Sequence, residues 1–229
     1  VVAAPEVVIS TSMGDMRLRL YPDDAPETVA NFLRYVDEGF YDGLIFHRVI
    51  KNFMVQGGGF DAQLHEKKGR GPIKLEAKRK NKRGTIAMAR TNNPNSATSE
   101  FFINHIDNDF LNPKSGRDGY AVFGGIVGGG PDYAVLNAIA KVPTHTYKGY
   151  GDVPVKAVVI ESIRRAATAA PTAAPAPSAA PSYRPSYEPS LRPTSNPTPR
   201  PSPAPTTTPG NPTAAPVFAP TPRPSSAPT

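Results

Sequence analysis

Phe46-His47-Arg48-Val49-Ile50-Lys51-Asn52-Phe53-Met54-Val55-Gln56-Gly57-Gly58-Gly59 holds two short apolar runs, one arginine, one glutamine and a glycine triplet. Side chains alternate across a strand, so a strand over residues 44–50 sets Phe46, Arg48 and Ile50 on one face and His47 and Val49 on the other. A guanidinium then stands in an otherwise apolar row. Charged groups in such rows usually have a partner or a task. Arg48 is therefore the first candidate for chemistry, and Gln56, polar within a second strand at 54–56, is the next.

Outward from this stretch, further strands are expected over 85–89, 101–104, 120–127 and 155–163. The last contains the unbroken run Val158-Val159-Ile160, which implies burial on both faces. Near the start, Val7-Val8-Ile9 and the alternating run 16–21 flank Ser12-Met13-Gly14-Asp15, the pattern of a hairpin. A helix follows, with Pro26 in its first turn, Val29, Phe32, Leu33 and Val36 at helical spacing, and Gly39 just past its end. A second helix begins near Pro131-Asp132 and buries Val135, Leu136 and Ile139. Many short strands with only two helices predict a mainly β fold, a closed antiparallel barrel capped at both ends. Residues 60–83 are long and irregular for a compact domain.

Composition fixes where that domain ends. Of 28 prolines, 9 lie at or before Pro154 and 19 from Pro171 onward. The chain therefore divides into an N-terminal extension at 1–5, a domain at 6–165 and a disordered Pro/Ala/Ser/Thr-rich tail at 166–229. About 160 residues suffice for one hydrophobic core without disulfide or metal support. Cysteine is absent, which excludes a disulfide scaffold, a thiolate nucleophile and a thiolate metal site. No apolar run of 18 residues exists, so no membrane-spanning helix is expected. His47, His65, His105 and His145 lie on separate predicted elements without metal-ligand spacing, so no metal site is expected.

The net charge of +7 falls as +3 on the tail, where Arg184, Arg192, Arg200 and Arg223 face one Glu188, and +4 on the domain. The basic residues between Lys67 and Arg83 contain no aromatic to stack on bases, and nucleic acid is not an expected partner. In the tail, prolines 181, 185, 189, 193 and 197 recur every four residues. A polyproline II helix has three residues per turn, so this period yields no continuous recognition face. An extended spacer is the reading.

Four ordered segments carry a resemblance to one family. They are the opening stretch, Met88-Ala89-Arg90-Thr91, Ser99-Glu100-Phe101-Phe102-Ile103-Asn104 with Asp109-Phe110-Leu111, and Tyr120-Ala121-Val122-Phe123-Gly124. Together they resemble the cyclophilin-type peptidyl-prolyl cis-trans isomerases from about Pro5 to Arg165. Residues 83–91 and Val142-Pro143-Thr144-His145 look most like the bacterial periplasmic forms. The resemblance implies an eight-stranded barrel and accounts for 60–83 as one of the long ordered loops around a binding groove. It implies an isomerase that needs no cofactor, acts on Xaa-Pro bonds of flexible polypeptides, assists folding and is a monomer.

By the same resemblance Arg48, Phe53 and Gln56 are catalytic. Met54, Phe102, Leu111 and Phe110 form or border a proline pocket together with Phe53, and Gln56 bonds the substrate backbone. Ala89 and the Arg90 main chain line the groove. Tyr120 takes the position where many eukaryotic members have histidine. Two departures stand out. Glu100 replaces the usual glutamine and is expected to pair with Arg48 or Arg90, or to favour basic peptides. Phe110 replaces a tryptophan of the cyclosporin-sensitive members, which implies weak cyclosporin binding.

Residues 1–5 begin with Val1 instead of methionine, consistent with a removed secretory signal or a trimmed chain. A periplasmic or secreted location is the expectation, with the cytoplasm as the alternative. The sequence also admits two other functions. One is a non-catalytic Xaa-Pro binding module tethered by its tail; the other is a nucleic-acid-associated isomerase using the basic stretch.

Overall fold

A computed structural model describes residues 4–166. The expected tail beyond Ala166 and the first three residues lie outside the described residues.

The chain opens with β1(Glu6–Thr11) and β2(Gly14–Leu20), paired from Glu6↔Arg19 to Thr11↔Gly14. Gly14 sits at φ 116°, a conformation that glycine adopts without a Cβ penalty. Helix α1(Pro26–Asp37) follows, then β3(Arg48–Ile50), β4(Met54–Gly57), β5(Thr85–Met88), β6(Phe101–Asn104) and the one-turn 3-10 segment Asp109–Leu111. The remainder is β7(Val122–Ile126), α2(Gly130–Ile139), β8(Thr144–Tyr147), β9(Tyr150–Pro154) and β10(Ile160–Arg165). Eight strands form one curled antiparallel sheet in the order β10-β1-β2-β7-β5-β6-β4-β3, while β8 and β9 pair separately as a hairpin.

The two edges of that sheet approach each other through the segments that lead into them. Gly43 N–H donates to Ile160 O at 2.9 Å, Phe46 N–H to Val158 O at 3.0 Å and Ile160 N–H to Leu44 O at 2.7 Å. These bonds explain why two expected strands are shorter than their apolar runs. Residues 44–46 and 158–160 serve the junction, leaving Arg48–Ile50 and Ile160–Arg165 as ladder strands.

The last strand is not buried on both faces as expected: β10 exposes Glu161, Arg164 and Arg165, Val155 is exposed, and the apolar run Val158-Val159-Ile160 serves the junction just before it. Val158 and Ile160 enter the main core; Val159 packs on the other side with Ile45, Phe60, Leu64 and Val153. The main core is closed by α1, whose Val29, Phe32, Leu33, Tyr35 and Val36 point inward. The Phe32 ring lies 5.0 Å from Phe123, 5.4 Å from Tyr41 and 5.8 Å from Phe101, the last edge-on. On α2, Leu136 and Ile139 are buried and Val135 is half-buried against the same core.

The first amides of a helix need acceptors, yet Ala25 at the N-cap of α1 has no side chain to offer. Glu76, in the long loop 60–83, supplies them. Its carboxylate accepts from Glu27 N–H, Thr28 N–H and the Thr28 hydroxyl at 3.2, 2.9 and 2.8 Å. A negative charge at a helix N-terminus is also favoured by the helix dipole. The loop is thus tied to the domain at a specific point.

Candidate active site

Pairing across the sheet creates a single outward-facing row. Arg48 stands opposite Gln56, Gln56 opposite Phe102, Phe102 opposite Ala87, and Ala87 opposite Val122. Directly paired side chains lie roughly 4.5–5.5 Å apart at Cβ, so this row is contiguous across five strands, partly exposed at Arg48 and Gln56 and buried at Phe102, Ala87 and Val122. Its apolar end continues into a second cluster outside the main core: Met54, Ala87, Phe102, Leu111 and Val122, with Ile50, Phe53, Ala89 and Tyr120 packed against it. Phe110 stacks on Phe53 at 5.4 Å, and Tyr120 meets Phe102 edge-on at 5.5 Å. The expected pocket residues Phe53, Met54, Phe102, Phe110, Leu111, Ala89 and Tyr120 therefore come together.

Phe46 does not share the Arg48 face. It lies in the main core with Val49, because the ladder begins only at Arg48 and the alternation breaks just before it. Arg48 and Ile50 remain on the outer face, half-buried.

Three asparagines hold the segments around this cluster. Asn104, Asn81 and Asn108 are at most 1% exposed, and each uses its amide. Asn104 Nδ2 donates to Thr85 Oγ1 at 2.9 Å and to Asn81 Oδ1 at 3.2 Å. Asn108 Nδ2 donates to Asn104 Oδ1 at 2.7 Å and to Phe53 O at 2.9 Å, while Asn81 Nδ2 reaches Leu111 O at 3.1 Å. The turn bearing Phe53 and the segment bearing Leu111 are thereby fixed to one buried network. Bonding of this kind offsets the cost of burying the amides, with Asn108 Oδ1 left without a partner among the described residues.

His105 completes that support. Asn52, at φ 59°, donates its N–H to His105 Nδ1 at 3.1 Å, and His105 N–H donates to Phe53 O at 2.9 Å. His105 Nε2 lies 3.1 Å from Asn137 Oδ1 on α2. Burial, with the charges of Arg83, Lys141 and Lys51 acting in the same sense, holds the imidazole below its ordinary value against the bond to Asn137. A neutral ring is what the Asn52 contact requires, since only a bare Nδ1 accepts.

The charged residues pair differently from the expectation. Glu100 meets neither Arg48 nor Arg90. Its Oε2 accepts from Gln56 Nε2 at 2.9 Å and lies 3.4 Å from His47 Nε2. Arg48 Nε instead lies 3.7 Å from Asp152 Oδ2 on β9. Arg90 donates to Gly119 O at 2.8 Å and stacks over Tyr120 at 4.6 Å, so its side chain braces the segment that carries Tyr120. Glu100 reaches Gln56 from just before β6, whereas Asp152 and Gly119 reach the two arginines from outside β4 and β6.

Ala87 and Val122, which floor the row, were not expected as site residues, nor were the asparagines, His47 or Asp152. Strand register was the missing signal for the first two. Of the nine basic residues in the 67–83 stretch, three are paired with acids elsewhere in the domain: Arg70 with Glu38, Arg79 with Asp24, and Lys82 with Asp107 and Asp109. A surface hollow at the end of α1, bounded by Ala30, Leu33, Asp37 and Arg165, carries the Asp37–Arg165 ion pair and no further chemistry. Among the described residues there is no His/Cys/Asp/Glu group suited to a metal, and no helix is long and apolar enough to cross a membrane.

Residues 6–165 match the family model described as cyclophilin type peptidyl-prolyl cis-trans isomerase/CLD. Among similar proteins, peptidyl-prolyl cis-trans isomerase B of Escherichia coli is 49% identical over 163 residues, covering 69% of this chain and 97% of the relative. A peptidyl-prolyl cis-trans isomerase of Acinetobacter baylyi is 49% identical over 160 residues, 69% and 84% of the two chains. A solved cyclophilin-type isomerase of Cryptosporidium parvum superposes with TM-score 0.61 at 28% identity, covering 72% of this chain and 98% of that one. The same protein solved in the presence of the dipeptide Ala-Pro gives TM-score 0.60 at 28% identity, covering 71% and 99%.

Proposed function

This chain belongs to the cyclophilin-type peptidyl-prolyl cis-trans isomerases, and from that premise we propose that the outward row from Arg48 to Val122 is its active site. The activity is rotation of Xaa-Pro peptide bonds. Amide resonance opposes that rotation by roughly 18–20 kcal/mol, and no bond need break. The task is to hold the proline ring and to favour the twisted state, in which the imide nitrogen regains its lone pair.

The apolar cluster of Met54, Phe102, Leu111 and Phe53 takes the ring. Gln56 bonds the peptide backbone beside it. Arg48, two strands from Phe102 in the same row, donates to the nitrogen lone pair as it develops; that pair is scarcely available in the planar ground state, so the gain is selective for the transition state. The observation that carries this reading is the register placing guanidinium, amide and apolar floor side by side.

Three finer points belong to the proposal. The isomerase works as a monomer on unfolded or flexible clients. It binds cyclosporin weakly, because Phe110, 54% exposed beside Phe53, offers a ring without an N–H. It acts outside the cytoplasm, supported by the likeness of residues 83–91 and 142–145 to periplasmic forms.

Titrating 15N-labelled protein with an Ala-Pro tetrapeptide tests the site. Shifts should concentrate on the amides of residues 48–56, 87–90, 100–102, 111 and 120, with exchange cross-peaks between cis and trans peptide. Shifts confined to other surfaces would overturn the assignment. Binding at the row without exchange would instead mark a non-catalytic Xaa-Pro module.

A further inference from the structure

The bond between Gln56 and Glu100 is directional. Glu100 as a carboxylate has acceptors only, so it takes the Gln56 amide with Nε2 turned inward, at 2.9 Å, and leaves Oε1 turned away. Inverting that amide would set its carbonyl oxygen against a carboxylate oxygen. A glutamine at position 100, the residue to which the family resemblance points, has one donor and one acceptor end and satisfies either orientation equally.

The carboxylate is itself held in place. A Cβ on Gly59 would lie 2.6 Å from Glu100 Cγ and 2.8 Å from its Oε1, so the side chain rests on bare backbone. His47, 6% exposed, lies 3.4 Å from the bonded oxygen, and its other ring nitrogen has no partner among the described residues. Burial works against charge on Glu100, but the bonds from His47 and Gln56 outweigh it and hold its carboxyl below the usual glutamate value. At neutral pH it is ionised.

We propose that Glu100, seated on Gly59 and braced by His47, is a positioning residue that locks the Gln56 amide with its carbonyl oxygen free to accept an N–H of the bound peptide. The selection is for substrates presenting a backbone donor beside the proline. It rests on the reading of Gln56 as a substrate contact, and it gives Glu100 no contact with Arg48.

A double-mutant cycle separates the two claims. Peptide Kd and kcat/KM are measured for the full chain and for Gln56→Ala, Glu100→Ala and the double variant. One hydrogen bond's worth of ordering predicts that Glu100→Ala weakens peptide binding roughly three- to tenfold in the parent. In the Gln56→Ala background it should then have less than about a 1.5-fold effect. The Gln56 side-chain amide resonances should be sharp and separated in the parent and averaged in Glu100→Ala. Glu100→Gln, which keeps volume, runs the same cycle if the alanine variant fails to fold, with a loss of about twofold from two equivalent amide orientations.

If Gln56→Ala leaves binding unchanged, the substrate contact itself is wrong. If Gln56→Ala weakens binding while Glu100→Ala has no effect in the parent, or an equal effect in both backgrounds, the positioning role alone is overturned.

Discussion

The five strands β3, β4, β6, β5 and β7 carry two rows of side chains one residue apart, and the rows do opposite work. The inner row, Val49, Val55, Ile103 and Ile86, is buried in the main core with α1 and the far wall of the sheet, and it ends at Gly124, which carries no side chain. The outer row, Arg48, Gln56, Phe102, Ala87 and Val122, is equally apolar over three positions but ends in an amide and a guanidinium. Burying apolar area on the inside stabilises the fold at roughly 25 cal/mol per Å2. On the outside Ala87 and Val122 are covered by the second cluster, and under the proposed function that cluster with the polar end of the row serves the substrate. The comparison teaches that a doubly apolar strand does not imply two structural faces.

The sharpest way to break that division is through its inner member Ile103, fully buried between Val55 and Ile86. Ile103→Ala should lower unfolding stability by about 2–5 kcal/mol in denaturant titration while the folded fraction keeps its kcat/KM. A loss below about 1 kcal/mol, or a collapse of activity in folded protein, would show that the rows are not separable.

Support between the rows is sensitive to acid. The folded-state value of His105 is depressed below 6.5, so native protein resists protonation more than the unfolded chain does. Its contribution is fully present above 6.5 and is lost as pH falls from there through the folded value. The Asn52 N–H then loses its acceptor and the Phe53 turn loosens, an effect of about 0.5–1.5 kcal/mol. His105→Gln should flatten the stability profile below pH 6.5. An unchanged profile would place the acid sensitivity elsewhere.

At the rim of the outer row, Phe110→Trp restores an indole N–H and should tighten cyclosporin binding up to about tenfold, one hydrogen bond's worth. Calorimetry reads it, and equal affinity for both proteins would remove Phe110 as a determinant of the proposed weak binding.

The first hairpin, both helices and β6 were legible because their signals are local: alternation, a proline at a helix start, a glycine past its end. Gly39, at φ 63°, stands where that reading put it. The β8–β9 hairpin was not legible. Thr144–Tyr147 is exposed at every position, so it has no apolar alternation, and its turn places Lys148 at φ 50° before Gly149, without the usual Asn or Asp. The site was legible in its residue types but not in its pairings. Glu100 lies 44 residues from Gln56, and Asp152 joins Arg48 from a hairpin the sequence did not announce. Such partners are set by tertiary packing of segments distant in the chain, which one-dimensional spacing does not carry.

The central claim is that Arg48 acts on the transition state and not on the fold. The direct measurement is kcat/KM for Arg48→Ala on an Ala-Pro tetrapeptide, taken alongside its denaturant midpoint. A charge-assisted bond of about 1.5–3 kcal/mol predicts a loss of roughly ten- to 150-fold. Arg48 is half-buried and its pair with Asp152 is partly exposed, so stability should change by less than about 1 kcal/mol. Near-parental kcat/KM in a folded variant would contradict the account.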